Sequence, residues 1–201
     1  MARPRGLSLA PFGDSDPLAG LETQAPLQVR YLRGYLADLN AQVVLEEPDY
    51  FDRDYLAEYS AFYAKSTMPY GNRCRRLHFF STSELNRRRL RAAAGSDGRS
   101  RWLMRKHYLG FIVVRPLGAS PLGRTVLRWY PDDGQDRPPR IVEPSRNYLT
   151  HVAGVELKVR GLAWQQQDAG VGACATVALW SALHSSAFDD HHAVPVAAHA
   201  G

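Results

Sequence analysis

Cys174 is the residue of this sequence best placed for nucleophilic chemistry. The ten residues that follow it are mostly alanine, leucine, valine and tryptophan, so they predict a helix that is apolar on nearly every side and therefore buried. Cys174 falls in the first turn of this helix. There, unpaired backbone N–H groups and the positive end of the helix dipole favour a thiolate over a thiol. The position indicates a nucleophile for acyl transfer.

The residues in front of Cys174 supply the other features of an acyl-transfer site. Gly170 and Gly172 let the chain turn sharply and let a substrate or another backbone approach closely. An upstream glutamine can donate its side-chain amide to a developing oxyanion, beside the backbone N–H of Cys174. Three consecutive glutamines precede the glycines and leave this assignment open: Gln165, Gln166 and Gln167.

The segment from Gln165 through Cys174 to Trp180 resembles the papain-like cysteine peptidases, in particular the bacterial C39-like type, in which a glutamine and a cysteine precede a helix of small residues. The resemblance covers about 25 of the 201 residues. It implies that Cys174 is the nucleophile and that one of the glutamines serves the oxyanion hole. We prefer Gln167, whose separation of seven is nearest the family's six; Asp168 stands at the six-residue position.

The resemblance also implies a histidine base, with an asparagine or aspartate to orient it, on strands well downstream of the nucleophile. The sequence holds 27 residues after Cys174, and they lack strand patterning. We therefore expect the N-terminal portion of a longer protein, with the base beyond Gly201. Within this sequence His192 and His151 remain candidates for the base. His184 lies ten residues along the same helix, about 15 Å from the thiol, which is too far.

A second feature suggests a different class of function. The stretch from Arg73 to Lys106 contains eleven basic residues and two acidic ones, a local net charge of +9 that leaves −4 for the rest. Clustered arginines on one face are typical of polyanion binding. The alternative is therefore a non-catalytic binding protein that uses this stretch for nucleic acid or an acidic protein partner. Neither zinc-ligand spacing nor an aromatic RNA-binding motif accompanies the arginines.

Other candidate groups have structural explanations. Cys74 is flanked by arginines but by no helix start, so we interpret it as structural or incidental, and the two cysteines as free thiols rather than a disulfide. Asp52, Arg53 and Asp54 fit a helix cap, assigned to Asp54, with a local ion pair. We expect no cofactor and no metal site.

The composition sets the frame for these sites. At 201 residues and 22.5 kDa, with 45% hydrophobic and 22% charged residues, the chain can bury a core. It has neither 18 consecutive apolar residues nor an apolar signal sequence at its start, which predicts a cytoplasmic protein without a membrane segment. The resemblance to cysteine peptidases implies a peptide or protein substrate.

Hydrophobic periodicity predicts an α+β fold: helices with a small mixed or antiparallel sheet that lead into a buried, papain-like nucleophile helix. We divide the chain into a disordered leader (1–26), a helical, arginine-rich region (27–106), and the strands and cysteine-bearing helix of an incomplete hydrolase-like domain (107–201). The end of the first helix, 43–45, also fits a strand. The predicted elements are helices at 27–43, 54–63 and 81–94, a polar loop at 95–100, and strands at 77–80, 108–115, 125–130 and 152–159.

Overall fold

A computed structural model describes residues 6–13, 17–130, 145–167 and 174–186. It shows an α+β fold, as predicted, with one five-stranded antiparallel sheet and a separate two-stranded hairpin. The described elements are β1 (Ser8–Pro11), α1 (Pro26–Asp38), β2 (Val43–Tyr50), α2 (Arg53–Ala61), β3 (Cys74–Phe80), α3 (Arg87–Ala94), α4 (Gly98–His107), β4 (Tyr108–Val114), β5 (Leu122–Leu127), β6 (Arg146–Val152), β7 (Val155–Gly161) and α5 (Cys174–Ser185).

The large sheet is a meander in the order β1-β2-β3-β4-β5. β4 lies inside it, paired with β3 on one side and β5 on the other, and all seven of its residues are buried. Its continuous apolar sequence predicts this position, because a strand covered on both faces has no solvent side on which to alternate. The predicted strand at 108–115 is therefore confirmed as an interior strand.

The sheet is covered on both faces. On one face α1 packs its buried residues, such as Leu32 and Leu36, against Phe79 and Ile112 of β3 and β4. On the other face α2, α3, α4, the β6–β7 hairpin and α5 surround a core that includes Phe80, Phe111 and Leu157. The second face also holds the polar and charged groups described below.

Gly110 is required where β4 meets β5. Its φ is +128°, and a Cβ built there would lie 2.1 Å from the carbonyl oxygen of Val126. Gly161, at the end of β7, would bring a Cβ within 2.3 Å of the carbonyl of Leu127. Backbone therefore contacts backbone at both glycines, and the β6–β7 hairpin lies directly against the sheet.

The N-terminal segment differs from the predicted disordered leader. Residues 8–11 form β1, which pairs with β2 and completes the edge of the sheet. Leu18 and Leu21 are buried against the α1 face. Pro and Gly in this segment disfavour long periodic elements, but they do not prevent a four-residue edge strand. The predicted boundary between regions 27–106 and 107–201 also differs from the structure, because β3 and β4 lie on opposite sides of it and are hydrogen-bonded neighbours in one sheet.

The helices between β3 and β4 begin at other residues than predicted. The Ser81–Glu84 capping box does not start a helix; instead Asn86 caps α3 by accepting a hydrogen bond from the N–H of Arg89 at 3.0 Å. Leu85 is buried just before it. The predicted polar loop at 95–100 contains the start of α4, where Asp97 accepts from the N–H of Ser100 at 2.8 Å. Each cap satisfies an N–H group at its helix start.

The predicted strand at 152–159 covers the turn and most of the second strand of a hairpin, whose first strand was not predicted. β6 and β7 pair antiparallel, and the turn between them holds Ala153 and Gly154, both at positive φ. Such a two-residue turn matches the twist of the paired strands. β6 escapes sequence prediction because one of its three buried residues is the polar Thr150, whereas the apolar Leu149 between Tyr148 and Thr150 is exposed.

Candidate functional site

Helix α5 begins at Cys174 and continues for twelve residues. This confirms the predicted helix and the place of Cys174 in its first turn; the Cys174 side chain lies outside what the structure describes. At 1.5 Å rise per residue, His184 stands about 15 Å further along the axis. His184 is thus at the opposite end of α5 from the thiol, as expected from the spacing.

The prediction that α5 is buried on every side is wrong. Trp180 and His184 face the core, whereas the side chain of Leu179 is 53% exposed and Ala178 and Ala182 are exposed. The apolar sequence of the helix allows most of its faces to be buried. How many of these faces are covered depends on which other elements pack against the helix. In the described part of the chain, α5 is covered along one side.

Two contacts join the C-terminal half of α5 to other elements, and one ring contact lies within the helix. The rings of Trp180 and His184 lie 4.0 Å apart between centroids, and Nε2 of His184 is 3.6 Å from Oδ2 of Asp54 at the start of α2. Arg146 of β6 donates from Nε to the backbone carbonyl of His184. His184 is therefore an anchor for the helix that carries Cys174.

The glutamine segment runs along the free edge of β5. Trp164 and Thr125 exchange backbone hydrogen bonds, and the N–H of Gln166 donates to the carbonyl of Leu122 at 2.8 Å. In return, the N–H of Leu122 donates to Oε1 of Gln166 at 3.2 Å. This second bond commits the carbonyl oxygen of the Gln166 side chain to β5 and fixes the orientation of its amide.

Gln165 and Gln167 have different surroundings. Gln165 is buried. Gln167 is half-buried, and its backbone carbonyl accepts a hydrogen bond from Oγ of Ser120 at 3.1 Å. The backbone of Gln167 is thus held in place. Gln167 is also the last described residue before α5.

A buried arginine that the sequence analysis did not single out anchors this segment. Arg115, directly after β4, donates to the carbonyls of Ser120 at 2.7 Å and Gln166 at 3.1 Å. Its Nη1 lies 3.1 Å from Oε2 of Glu58 on α2, and both side chains are buried. The sequence does contain a signal for this role, an arginine directly after an entirely apolar strand. A guanidinium buried there needs several hydrogen-bond acceptors around it.

Asp52, rather than Asp54, caps α2. Its Oδ1 accepts from the N–H groups of Asp54 and Tyr55 at 3.1 and 3.0 Å, and its Oδ2 pairs with Arg124 of β5 at 3.0 Å. Burial raises the pKa of Asp54, against the opposing effect of Arg124. Burial alone would lower the pKa of Arg124, but the two carboxylates outweigh it and raise that pKa. The pattern at 52–54 therefore belongs to a cluster that spans α2, β5 and α5.

A second polar cluster crosses β2, β3 and β4. Arg76 binds Glu47 through Nε and Nη2 at 2.8 and 2.7 Å. His78 is fully buried, and burial lowers its pKa to about 4, so it is neutral at physiological pH. A neutral His78 donates from Nε2 to Glu47 at 3.4 Å and accepts at Nδ1 from the hydroxyl of Tyr108 at 2.9 Å. The cluster satisfies four polar side chains, of which His78 and Tyr108 are fully buried and Glu47 is partly exposed.

The other sequence-predicted candidates are placed as follows. His192 lies outside the described residues. His151 is exposed on β6, with Nε2 3.6 Å from Glu156 of β7. Cys74 is buried, and burial raises the pKa of its thiol to about 12, in agreement with a structural role. The structure does not bring His151 and Gln167 together in any contact that it describes.

The stretch from Arg73 to Lys106 is divided between two environments. Its first part forms β3, where Arg75 pairs with Glu46 at 3.2 Å and Arg76 pairs with Glu47. Its second part forms α3 and α4, whose basic side chains are mostly exposed, together with Trp102. We call the exposed residues the basic helical surface: Arg87, Arg88, Arg91, Arg99, Arg105 and Lys106.

Among residues 6–13, 17–130, 145–167 and 174–186, no three His, Cys, Asp or Glu side chains are gathered in a way that suits a metal ion. None of the helices in this part of the chain has the length and apolar character needed to cross a bilayer. No protein-family model matches the sequence, and comparisons with curated proteins and with solved structures give no significant match.

Proposed function

We propose that this chain carries the nucleophile of a papain-like thiol hydrolase, with Cys174 attacking the carbonyl carbon of an amide, isopeptide or thioester in a peptide or protein substrate. The observation that carries the proposal is that α5 begins at Cys174. Helix N–H groups and the helix dipole stabilise a thiolate at this position. By contrast, Cys74 is buried with a raised pKa and is unsuited to attack.

The proposed reaction is a two-step acyl transfer. The Cys174 thiolate forms a bond to the carbonyl carbon, and the tetrahedral oxyanion accepts hydrogen bonds from the Cys174 N–H and from a glutamine amide. The leaving group departs with a proton from a histidine, which leaves a thioester on Cys174. Water, deprotonated by the same histidine, then hydrolyses that thioester. Within the sequence, His192 is the candidate for this histidine.

Gln167 is our choice for the oxyanion donor. The Gln166 side chain already accepts a hydrogen bond from the Leu122 N–H, and Gln165 is buried. Ser120 holds the backbone of Gln167 through a hydrogen bond to its carbonyl oxygen. Gln167 is also close in sequence to the start of α5. A donor on a fixed backbone loses little entropy in the transition state, which is what an oxyanion hole requires.

The test uses the natural protein at its native length. Hydrolysis of fluorogenic peptide amides and peptide thioesters is compared among the wild type, C174A, Q167A and C74A. We expect C174A to abolish turnover and Q167A to lower kcat by about a hundredfold, the usual cost of one oxyanion donor. C74A, whose thiol lies in the core, is the matched control and should keep its activity if folded by circular dichroism. Turnover retained in C174A would overturn the proposal.

A second candidate function is nucleic-acid binding through the basic helical surface. Its six basic side chains are exposed on two consecutive helices, and Trp102 between them is 55% exposed with Nζ of Lys106 4.6 Å above its ring. Exposed arginines contact phosphates, and an exposed aromatic ring stacks on bases. This arrangement supports binding of single-stranded nucleic acid.

Fluorescence anisotropy with a single-stranded oligonucleotide, over a series of salt concentrations, tests this candidate. A phosphate-binding surface should show affinity that falls steeply with salt, and the double variant R91Q/R99Q should make the slope of log Kd against log salt shallower by about one per lost contact. R160Q, an exposed arginine on β7, is the control. Binding that neither depends on salt nor changes in R91Q/R99Q would exclude this surface.

A further inference from the structure

A polar cavity of about 410 Å³ lies between the β6–β7 hairpin and the large sheet. Three arginines from three different strands line it: Arg76 of β3, Arg124 of β5 and Arg146 of β6. None of its described lining residues is acidic. We call it the arginine pocket. Its size suits a metabolite rather than a macromolecule.

The guanidinium group of Arg76 in the arginine pocket is held in position by neighbouring protein groups. Arg76 is fixed by Glu47 and by the carbonyl of His151, and it lies over the ring of Tyr50 at 3.9 Å. Glu47 is not among the residues that line the cavity. Such restraint lowers the entropy that a ligand has to remove when it binds.

Arg124 and Arg146 are restrained in the same way. Arg124 is fixed by Asp52 at 3.0 Å. Arg146 donates to the carbonyl of His184 and lies 4.3 Å from the centroid of the Tyr148 ring. All three cations therefore present a prepared surface to the cavity.

Two buried polar atoms of lining residues lack a hydrogen-bond partner among the described residues: Nε of Arg124 and Oγ1 of Thr150. Thr150 is only 5% exposed. Buried donors are rarely left without an acceptor, because an unsatisfied buried group loses its hydrogen bonds to water without replacing them. Their place beside the cavity indicates that an acceptor bound there would satisfy both.

We propose that the arginine pocket binds a small organic anion through a carboxylate or phosphate group that accepts hydrogen bonds from Nε of Arg124 and Oγ1 of Thr150. Arg76 and Arg146 supply the further positive charge. Guanidinium groups and hydroxyls form charge-assisted hydrogen bonds with such oxyanions. The tyrosine rings and Phe111 at the cavity provide contact for the apolar remainder of the ligand. The site is independent of the chemistry proposed for Cys174.

Isothermal titration calorimetry tests the proposal with two probes, inorganic phosphate and succinate, at constant ionic strength maintained with chloride. Binding of either probe with 1:1 stoichiometry is the expected result, and the tighter probe identifies the anionic group. T150V should weaken binding about tenfold without loss of stability, because it removes a hydroxyl that has no partner. R146Q should weaken binding at least about tenfold.

R160Q is the matched control, since it makes the same charge change on the exposed side of the same hairpin. Its affinity should equal that of the wild type. Lack of binding of both probes at millimolar concentration would overturn the proposal. Binding that T150V leaves unchanged, or that R160Q weakens as much as R146Q, would equally overturn it. T150V keeps the test decisive if R146Q fails to fold.

Discussion

The guanidinium group of Arg115 donates to the backbone carbonyl of Gln166 at 3.1 Å, from the end of β4 to the segment that leads into α5. The same side chain binds Ser120 and pairs with Glu58 of α2. One buried cation therefore joins the sheet, α2 and the glutamine segment. The chain enters the region of Cys174 from a point that is fixed by these bonds.

Replacement of Arg115 tests this anchor. R115M keeps the length of the side chain but leaves the Glu58 carboxylate buried without its cation, so we expect the free energy of unfolding to fall by about 3–5 kcal/mol. R105M, on the exposed face of α4, should change it by less than about 1 kcal/mol. Urea unfolding followed by circular dichroism gives both values. Equal stabilities of the two variants would contradict the role of Arg115.

The two cysteines should differ strongly in reactivity. The thiol of Cys74 is buried with its pKa raised to about 12, whereas the helix start favours a thiolate at Cys174. At pH 7.5 we expect iodoacetamide to label Cys174 at least about a hundredfold faster, as measured by peptide mass spectrometry over time. In denaturant the rates should converge. Labelling of native Cys74 at the rate of Cys174 would show that the buried environment of Cys74 is wrongly assigned.

Stability should depend on pH through His78. Burial lowers the folded-state pKa of His78 to about 4, below its ordinary value of 6.5, so the unfolded chain binds a proton that the folded chain does not between these pH values. The free energy of unfolding should therefore decrease as pH falls from about 6.5 to 4, by about 3 kcal/mol from this residue.

H78Q, which does not titrate in this range, should show a correspondingly smaller decrease in denaturant unfolding measured at pH 7 and pH 4. H151Q changes an exposed histidine on β6 and serves as the control. Identical pH dependence of the wild type and H78Q would be incompatible with a buried, neutral His78.

Gly110 and Gly34 should respond to alanine in opposite directions. At Gly110 an added Cβ meets the Val126 carbonyl at 2.1 Å and the φ of +128° is unfavourable for alanine, so we expect G110A to lose about 3–5 kcal/mol. Gly34 lies within α1 with nothing within 4 Å of the added atom, and G34A should gain about 0.5–1 kcal/mol. Thermal unfolding compares them. A tolerated G110A would mean that β4 and β5 separate more easily than described.

Features with a local cause were accessible from the sequence. The apolar run from Tyr108 predicts an interior strand because a strand covered on both faces needs no polar side. The small apolar residues after Cys174 predict a helix that begins there, since composition and glycine placement act within a few residues. The α+β class follows from such elements together. These parts of the fold and the start of the candidate site needed no tertiary information.

Other features depend on competition between neighbouring groups. Asp52 and Asp54 are both suited to cap α2, and Arg124, 70 or more residues away, pairs with both of them while Asp52 makes the cap. α5 has an apolar sequence, but its burial depends on how many elements reach it. The local sequence fits each of these alternatives equally well, so it cannot decide among them.

The arginine pocket belongs entirely to the tertiary structure. Arg76, Arg124 and Arg146 are spread over three strands, and in the sequence each is an ordinary charged residue. By itself the sequence determined where strands and helices are favourable and where a thiol meets a helix start. The packing of the β6–β7 hairpin on the sheet decided which distant charges face one cavity, because only folding brings them within range of the same ligand.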